Sequence, residues 1–431
     1  MIIAAAYALT LVMIAPASGP ASDTSAPASS PAGAGVGAGA EFRSRSSAAA
    51  ELSFVLDPGL SMEPGTRTLV SLGRVLLSYD AALPEPRSPW LARLQRVARS
   101  VFIDGPLLGL EATVIHEVFG HGARAHEAGL SPTYDFHLVL PYSVLVPHQK
   151  DTGETLGATS GQPDRDLAMV AAGIEANHYT ALVLAEQWAI TGTAHYGDAA
   201  LYLGTKLSYL SQFVALSATS EGRDLSLYMT LLDQRFNRVG HSDRADLANR
   251  ISWGYLASFV DPLWWWSAVA GATYIWRGDR WLTPLGFAVG ASRIMPRVGF
   301  ALTPFGTEHT LEANVTLPFA VFSGALRAAT SGLAAAAGGT LRVVRWPIGT
   351  RFIVGGELDI WNQPELLFTQ RNVFERPNLW GAALATDLHV RLYDRWGLAG
   401  KIAYKSKGYL MAAPEDAGPF GYIGVWLAPS L

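Results

Sequence analysis

The chain of 431 residues contains no cysteine. This excludes disulfide frameworks, thiolate metal sites, cysteine nucleophiles and a lipidated amino-terminal cysteine, and leaves any metal to His, Asp or Glu. Charge is scarce too: 16% of residues are ionic, with 32 Lys and Arg against 36 Asp and Glu for a formal net charge of −4. Without a basic excess there is no electrostatic case for nucleic acid. Apolar residues are plentiful, at 49% hydrophobic and a mean hydropathy of +0.19. That is greasier than an ordinary soluble enzyme and keeps membrane association open.

The amino terminus, "IIAAAYALTLVMIAPA", is an apolar run ending in the small-residue pattern Ala15-Pro16-Ala17. Residues 1–17 are expected to form a cleaved secretory signal; the basic n-region is missing, and an apolar anchor that stays attached is the alternative. Residues 18–50 run through Ala, Ser, Pro and Gly. They carry too little apolar side chain to offset ordering entropy, so a disordered linker is expected.

Two periods divide the remainder into a mainly helical region, 51–264, and an antiparallel β region, 265–431. The expected class is therefore α+β. In the first region "SPWLARLQRVARSVF" opens with Ser88 as N-cap before Pro89, and "GPLLGLEATVIHEVFGHGARAHEAG" runs from Pro106 to Gly129. A long helix starts near Asp164, and "ALYLGTKLSYLSQFVAL" and "RDLSLYMTLLDQRF" suggest two more. "SPTYDFHLVLPYSVLVP" is β-like or loop, an edge strand beside a site. "LSFVL" at 52–56 and "TLVSLGRVLLSY" at 68–79 are expected as strands of the later sheet.

Beyond 265 the period is two. Leu384, Leu388, Val390 and Leu392 point one way, Asp387, His389 and Arg391 the other; "RFIVGGELDIW" repeats the scheme. Hairpins are predicted to turn at Arg277–Arg280, Pro304–Glu308 and Asp394–Gly397. Most of the 13 tryptophans lie beyond residue 250, many near predicted strand ends: Trp276, Trp281, Trp346, Trp361, Trp396, Trp426. Rim aromatics and tilted strands of this length suit a lipid-embedded barrel, giving an expected outer-membrane, barrel-like meander with lipid as partner; a soluble antiparallel sheet packed on the helical half is the alternative. "GYIGVWLAPSL" loosely resembles the carboxy-terminal assembly signal of outer-membrane barrels, departing from it in ending on Leu431 after a proline. "YLASFVDPLWWWSAVAGATYIW" is long and apolar enough for a transmembrane helix, but Asp261-Pro262 and the period-two segments after it favour strands.

The chemistry is concentrated in "IHEVFGHGARAHE". A zinc site on a helix needs two imidazoles on one face and a carboxylate beside the open position. On a regular helix His116 and His121, five residues apart, would diverge by ~140°. A π-type bulge absorbs one extra residue, and Gly120 and Gly122 make deformation cheap there. "HEVFGH" resembles the H-E-x-x-x-H motif of the dipeptidyl peptidase III family of zinc peptidases, and "GIEAN" resembles the third-ligand helix of the wider glutamate-zincins. The resemblance implies His116, His121 and Glu175 as zinc ligands and Glu117 as general base. It covers these two stretches only; the family's glutamate-rich second motif is absent and the later strands have no counterpart there. His178 and Tyr179 flank Glu175 as candidates to stabilise an oxyanion, with Tyr134 and His137 as alternatives. His126 is a further candidate ligand or a solvated helix end. Arg124 pairs with Glu127 or a substrate carboxylate, and Asp261 is a partner of a ligand histidine or an N-cap.

Together these give an expected zinc-dependent peptide hydrolase of the cell envelope, exported to the outer membrane, with periplasm or inner membrane as alternatives. Two other classes stay open. One is an intramembrane metalloprotease of site-2 type, whose unexpanded motif and Asp-Gly segment are not found; the other is a non-catalytic metal-binding barrel.

Overall fold

The computed structural model describes residues 52–57, 59–136, 153–156, 159–207, 210, 213, 224–236, 244–330, 334–368, 376–393 and 396–427. The expected signal and linker, and His137, lie outside them. Strand β1 (Leu52–Leu56) is followed by helix α1 (Met62–Leu77). Next comes one continuous helical rod: α2 (Pro89–Arg99), a π segment (Ser100–Asp104), α3 (Gly105–Val114), a second π segment (Ile115–Gly122) and α4 (Ala123–Glu127). The hairpin β2 (Thr133–Phe136) and β3 (Gly153–Leu156) precedes the long α5 (Pro163–Thr191), β4 (Ala194–His195) and α6 (Tyr196–Leu207). Helices α7 (Asp224–Phe236), α8 (Arg244–Ala257) and α9 (Pro262–Arg277) lead to β5 (Trp281–Leu282), which pairs with β4.

The remaining strands are β6 (Phe287–Val289), β7 (Ser292–Thr303), β8 (Gly306–Thr316), β9 (Val321–Ala329), β10 (Ala337–Ile348), β11 (Phe352–Pro364), β12 (Asn378–Tyr393), β13 (Trp396–Lys405) and β14 (Gly418–Leu427). They form an antiparallel meander that β1 extends by pairing with β14, giving a ten-stranded sheet with β1 and β6 at its edges. The molecule is thus α+β, and β7 with β8 and β12 with β13 pair as the expected hairpins, Asp394 of the second expected turn lying outside the described residues; at Arg277–Arg280 there is no hairpin, because α9 ends there and β5 pairs with β4. The outer edge of β1 is covered: the Ser53 and Val55 N–H groups donate to Ser71 Oγ (2.9 Å) and Thr68 Oγ1 (3.0 Å) of α1. A sheet edge capped by hydroxyls cannot recruit another strand.

Three further local expectations are corrected. Residues 68–77 belong to helix α1 and 78–79 to the 3-10 turn after it, not to a strand, because Met62, Thr66, Val70, Gly73 and Leu77 recur at helical spacing and bury one face. Residues 265–277 are helix rather than strand: Asp261 caps α9 by accepting the Leu263 N–H, and Pro262 occupies the first turn where its missing N–H costs nothing. The two helices expected to meet near residue 105 are one rod. The π segment before Gly105-Pro106 widens the backbone where a proline would otherwise clash with the preceding turn.

The strands are turned inside out relative to a soluble sheet. Glu312, Arg327, Arg342, Asp359, Lys401 and Lys405 are buried, whereas Leu311, Leu326, Leu341, Leu384 and Ile402 on the other face are exposed, Ile402 by 79%. Helix α5 is long and apolar enough to cross a membrane, yet it is buried within the protein against β7, β8 and β9. Between α5, α1 and the sheet the charges close into an alternating ring. Glu63 bonds Arg67 (3.3 Å), Arg67 approaches Glu186 (3.5 Å), and Glu186 bonds Arg342 (2.6 Å). Arg342 then bonds Glu357 (2.7 Å), Glu357 bonds Lys401 (3.1 Å), and Lys401 returns to Glu63 (2.7 Å). Buried ions persist only when each has such a partner.

Candidate metal centre

The helical rod brings the two histidines together through its second π segment. The extra residue in that turn returns His121 to the face of His116, so their Nε2 atoms lie 3.1 Å apart with the rings nearly perpendicular. Close approach to α5 holds them there. A Cβ on Gly173 would fall 1.8 Å from His116 Cε1, and one on Gly120 would fall 2.8 Å from the Ala172 carbonyl oxygen. Only glycine lets these two backbones and a ring share the space.

His121 Nδ1 lies 2.7 Å from the Met169 carbonyl. A carbonyl only accepts, so Nδ1 holds a proton whether the ring is charged or neutral, and Nε2 is the nitrogen that a metal would take. The carboxylate that joins them is Asp224, the first residue of α7, with Oδ2 3.4 Å from both Nε2 atoms. Among the described residues, His116, His121 and Asp224 form the group that could hold a metal, with ligand atoms within 4.8 Å of one another. Burial disfavours charge on His121, but the Asp224 carboxylate outweighs it and raises the ring to about 9. Burial likewise opposes ionisation of Asp224, and His121 together with hydrogen bonds from both imidazoles holds it well below the usual carboxylate range.

Glu117 is buried beside the pair, its Oε1 3.7 Å from His116 Nε2. Its other oxygen accepts a 2.7 Å hydrogen bond from Thr155 Oγ1 on β3, so the hairpin after the rod orients this carboxylate. On β2 the Tyr134 hydroxyl lies over Gly122, buried and without a hydrogen-bond partner. Burial first, and the Glu117 charge second, push its ionisation upwards, so it stays a neutral donor.

The other residues singled out from the sequence lie elsewhere. Glu175 accepts from Arg124 and from the Ala412 N–H (2.8 Å). Its helix does pack on the rod, but through Met169 and Gly173; two residues further, at ~100° per residue, Glu175 points away from the histidines. Arg124 is buried and also bonds Glu127 (2.9 Å), so these carboxylates balance its charge. His178 Nε2 lies 3.2 Å from Glu312, and Tyr179 lies under Arg67; both belong to the polar interior facing the sheet. His126 is exposed at the rod's end. Asp261 caps α9 and accepts from Tyr202 (2.7 Å) and Lys206 (3.0 Å). Sequence reasoning missed Asp224 and Thr155. An acidic residue opening a helix is what the helix dipole favours anywhere, so Asp224 carried no distinguishing mark.

Comparison with protein-family models, with curated proteins and with solved structures gives no match. The chemistry of the site therefore rests on its own geometry.

Proposed function

We propose that the protein is a metal-dependent hydrolase of the cell envelope, a zinc peptidase in its chemistry, with His116, His121 and Asp224 as metal ligands and Glu117 as general base. The observation that carries this reading is the π segment, which sets two imidazoles 3.1 Å apart with two carboxylates around them. Two nitrogens and one oxygen are a donor set that suits zinc and leaves a coordination position open. A bound zinc would supply Lewis acidity, polarising a substrate carbonyl and acidifying water. Glu117, oriented by Thr155, takes a proton on the side of His116 and returns it to the leaving amine. Tyr134, neutral and unpartnered, is the donor within the site for a developing oxyanion.

The reversed polarity of the strands, with ionic side chains inside and leucine and isoleucine outside, supports a sheet embedded in lipid rather than water. An outer-membrane location accords with it, because antiparallel strands rather than apolar helices supply most of that surface.

The test uses purified full-length protein, metal analysis and a peptide library read by mass spectrometry. Wild type should bind one zinc and cleave. Glu117→Gln should keep the zinc and lose about two to four powers of ten in rate, the scale of general base catalysis. Asp224→Ala should lose both, and Glu175→Gln should keep the metal. Cleavage that survives in Glu117→Gln refutes the mechanism. Zinc binding without any wild-type cleavage would favour a metal-binding shell.

A further inference from the structure

We infer that helices α1, α2, α3 and α9 face lipid and complete the wall that the open sheet leaves unfinished, so that acyl chains contact helix as well as strand. This rests on the membrane part of the proposed function and is independent of the metal part.

The helices show the same reversal of polarity as the strands. From Pro89 to Val114 every exposed side chain is apolar, including Trp90, Leu91, Leu94, Val97, Phe102 and Ile103. Two of the three arginines of α2 turn inwards instead. Arg96 donates to the Ile275 carbonyl (2.8 Å) and to Glu85 (3.1 Å), and Arg99 is buried with Asp80 and Asp104. Helix α1 exposes Leu72, Val75 and Leu76 while burying Glu63, Thr66 and Ser71; α9 exposes Trp265 and Val269. In water this arrangement is the wrong way round; in hydrocarbon it is the right one.

The dimensions agree. From Trp90 to Leu110, at ~1.5 Å per residue, the apolar stripe spans ~30 Å, the thickness of a bilayer's hydrocarbon core. At one end the Arg93 guanidinium stacks 4.8 Å from the Trp276 ring, the pairing of cation and indole that suits a membrane–water interface.

The sheet edges point the same way. Backbone N–H groups left open to lipid cost several kcal/mol each, so an open sheet cannot end in hydrocarbon. Here β1 ends on the Ser71 and Thr68 hydroxyls of α1. On the other side, where the short β6 pairs only with Ser292–Ile294 at the start of β7, α9 packs on β7 and on α2. A soluble partner or a second copy of the chain would cover one face. The apolar surface instead runs over the sheet and the helices at both of its edges, and a bilayer is the occupant that covers it all.

The absence of native cysteine makes the test direct. Single variants Leu94→Cys, Val269→Cys, Ile402→Cys and His126→Cys of the full chain are spin-labelled and reconstituted in phosphatidylcholine vesicles. Collision with oxygen, which concentrates in lipid, is compared with collision with a water-soluble nickel chelate. Labels at 94 and 269 should behave like that at 402, with oxygen favoured, and opposite to that at 126. If 402 favours oxygen but 94 and 269 favour the chelate, the sheet is in lipid and the helices are not, which overturns this inference alone. Labels at 94 and 269 reached by neither reagent lie under protein, which overturns it equally. A chelate-exposed 402 removes the membrane reading and this inference with it.

Discussion

At the scale of single residues, the centre depends on three side chains that are each ordinary by themselves. His121 carries a proton in the metal-free protein because Asp224 faces it, and Asp224 is ionised because His121 faces it. The linkage has a definite sign. The folded His121 pKa is raised from 6.5 to about 9, so its contribution is complete below pH 6.5 and is lost as pH rises through 9. Asp224 is lowered from 3.8, so its contribution is present above that value and is lost as pH falls below it. In the presence of a chelator, Asp224→Asn should therefore lower the thermal midpoint between about pH 4 and pH 9, and the difference should close above 9. With metal the dependence reverses, because protons and metal compete for the same nitrogens. A midpoint difference that persists unchanged well above pH 9 would show that the ion pair is not its source.

At the scale of the element, the π segment is what turns a five-residue spacing into a shared face. If that turn is an α-helix with one residue inserted, removing one residue should restore the regular helix without moving the chain beyond it. Deletion of Val118, which leaves H-E-F-G-H, is expected to keep metal binding and to keep Arg124 in register with Glu175. Gly173→Ala should do the opposite. The added methyl meets the His116 ring, and overpacking of this kind costs about 1–3 kcal/mol along with the geometry of the ligand pair. Metal titration with denaturant unfolding checks both. A deletion variant that folds and binds no metal would show that the π turn does more than absorb a residue.

At the scale of the whole molecule, the outer surface decides what solvent the protein needs. Ile402 is 79% exposed. If water covered it, Ile402→Lys would change stability by no more than about 0.5 kcal/mol. In lipid the same change is expected to cost about 2–4 kcal/mol near the bilayer midplane, measured by denaturant unfolding of vesicle-reconstituted protein. A neutral effect there would place this face of β13 outside the hydrocarbon.

Much of this was legible in the chain because the signals are local. Period-two alternation in "RFIVGGELDIW" and "ALATDLHVRLY" marked β11 and β12, and "LSFVL" was recognisable as a strand from its composition. The spacing of His116 and His121 required a deformed turn, since no regular helix brings such a pair together. Other features were decided by partners distant in sequence. Segment 68–77 is a helix because its buried stripe packs on β1 and α5, partners that its own residues do not announce. Residues 262–277 turned on a single cap, Asp261, whose own partners lie on α6. The carboxylate at the centre comes from 108 residues beyond His116, and pairing at that distance leaves no periodic trace in the chain. Glu175 had the more suggestive surroundings, but Arg124 engages it. Sequence determines which side chains are available and how each segment prefers to fold; only packing decides which of two carboxylates meets the histidines, because a buried arginine and a buried, protonated imidazole both require one.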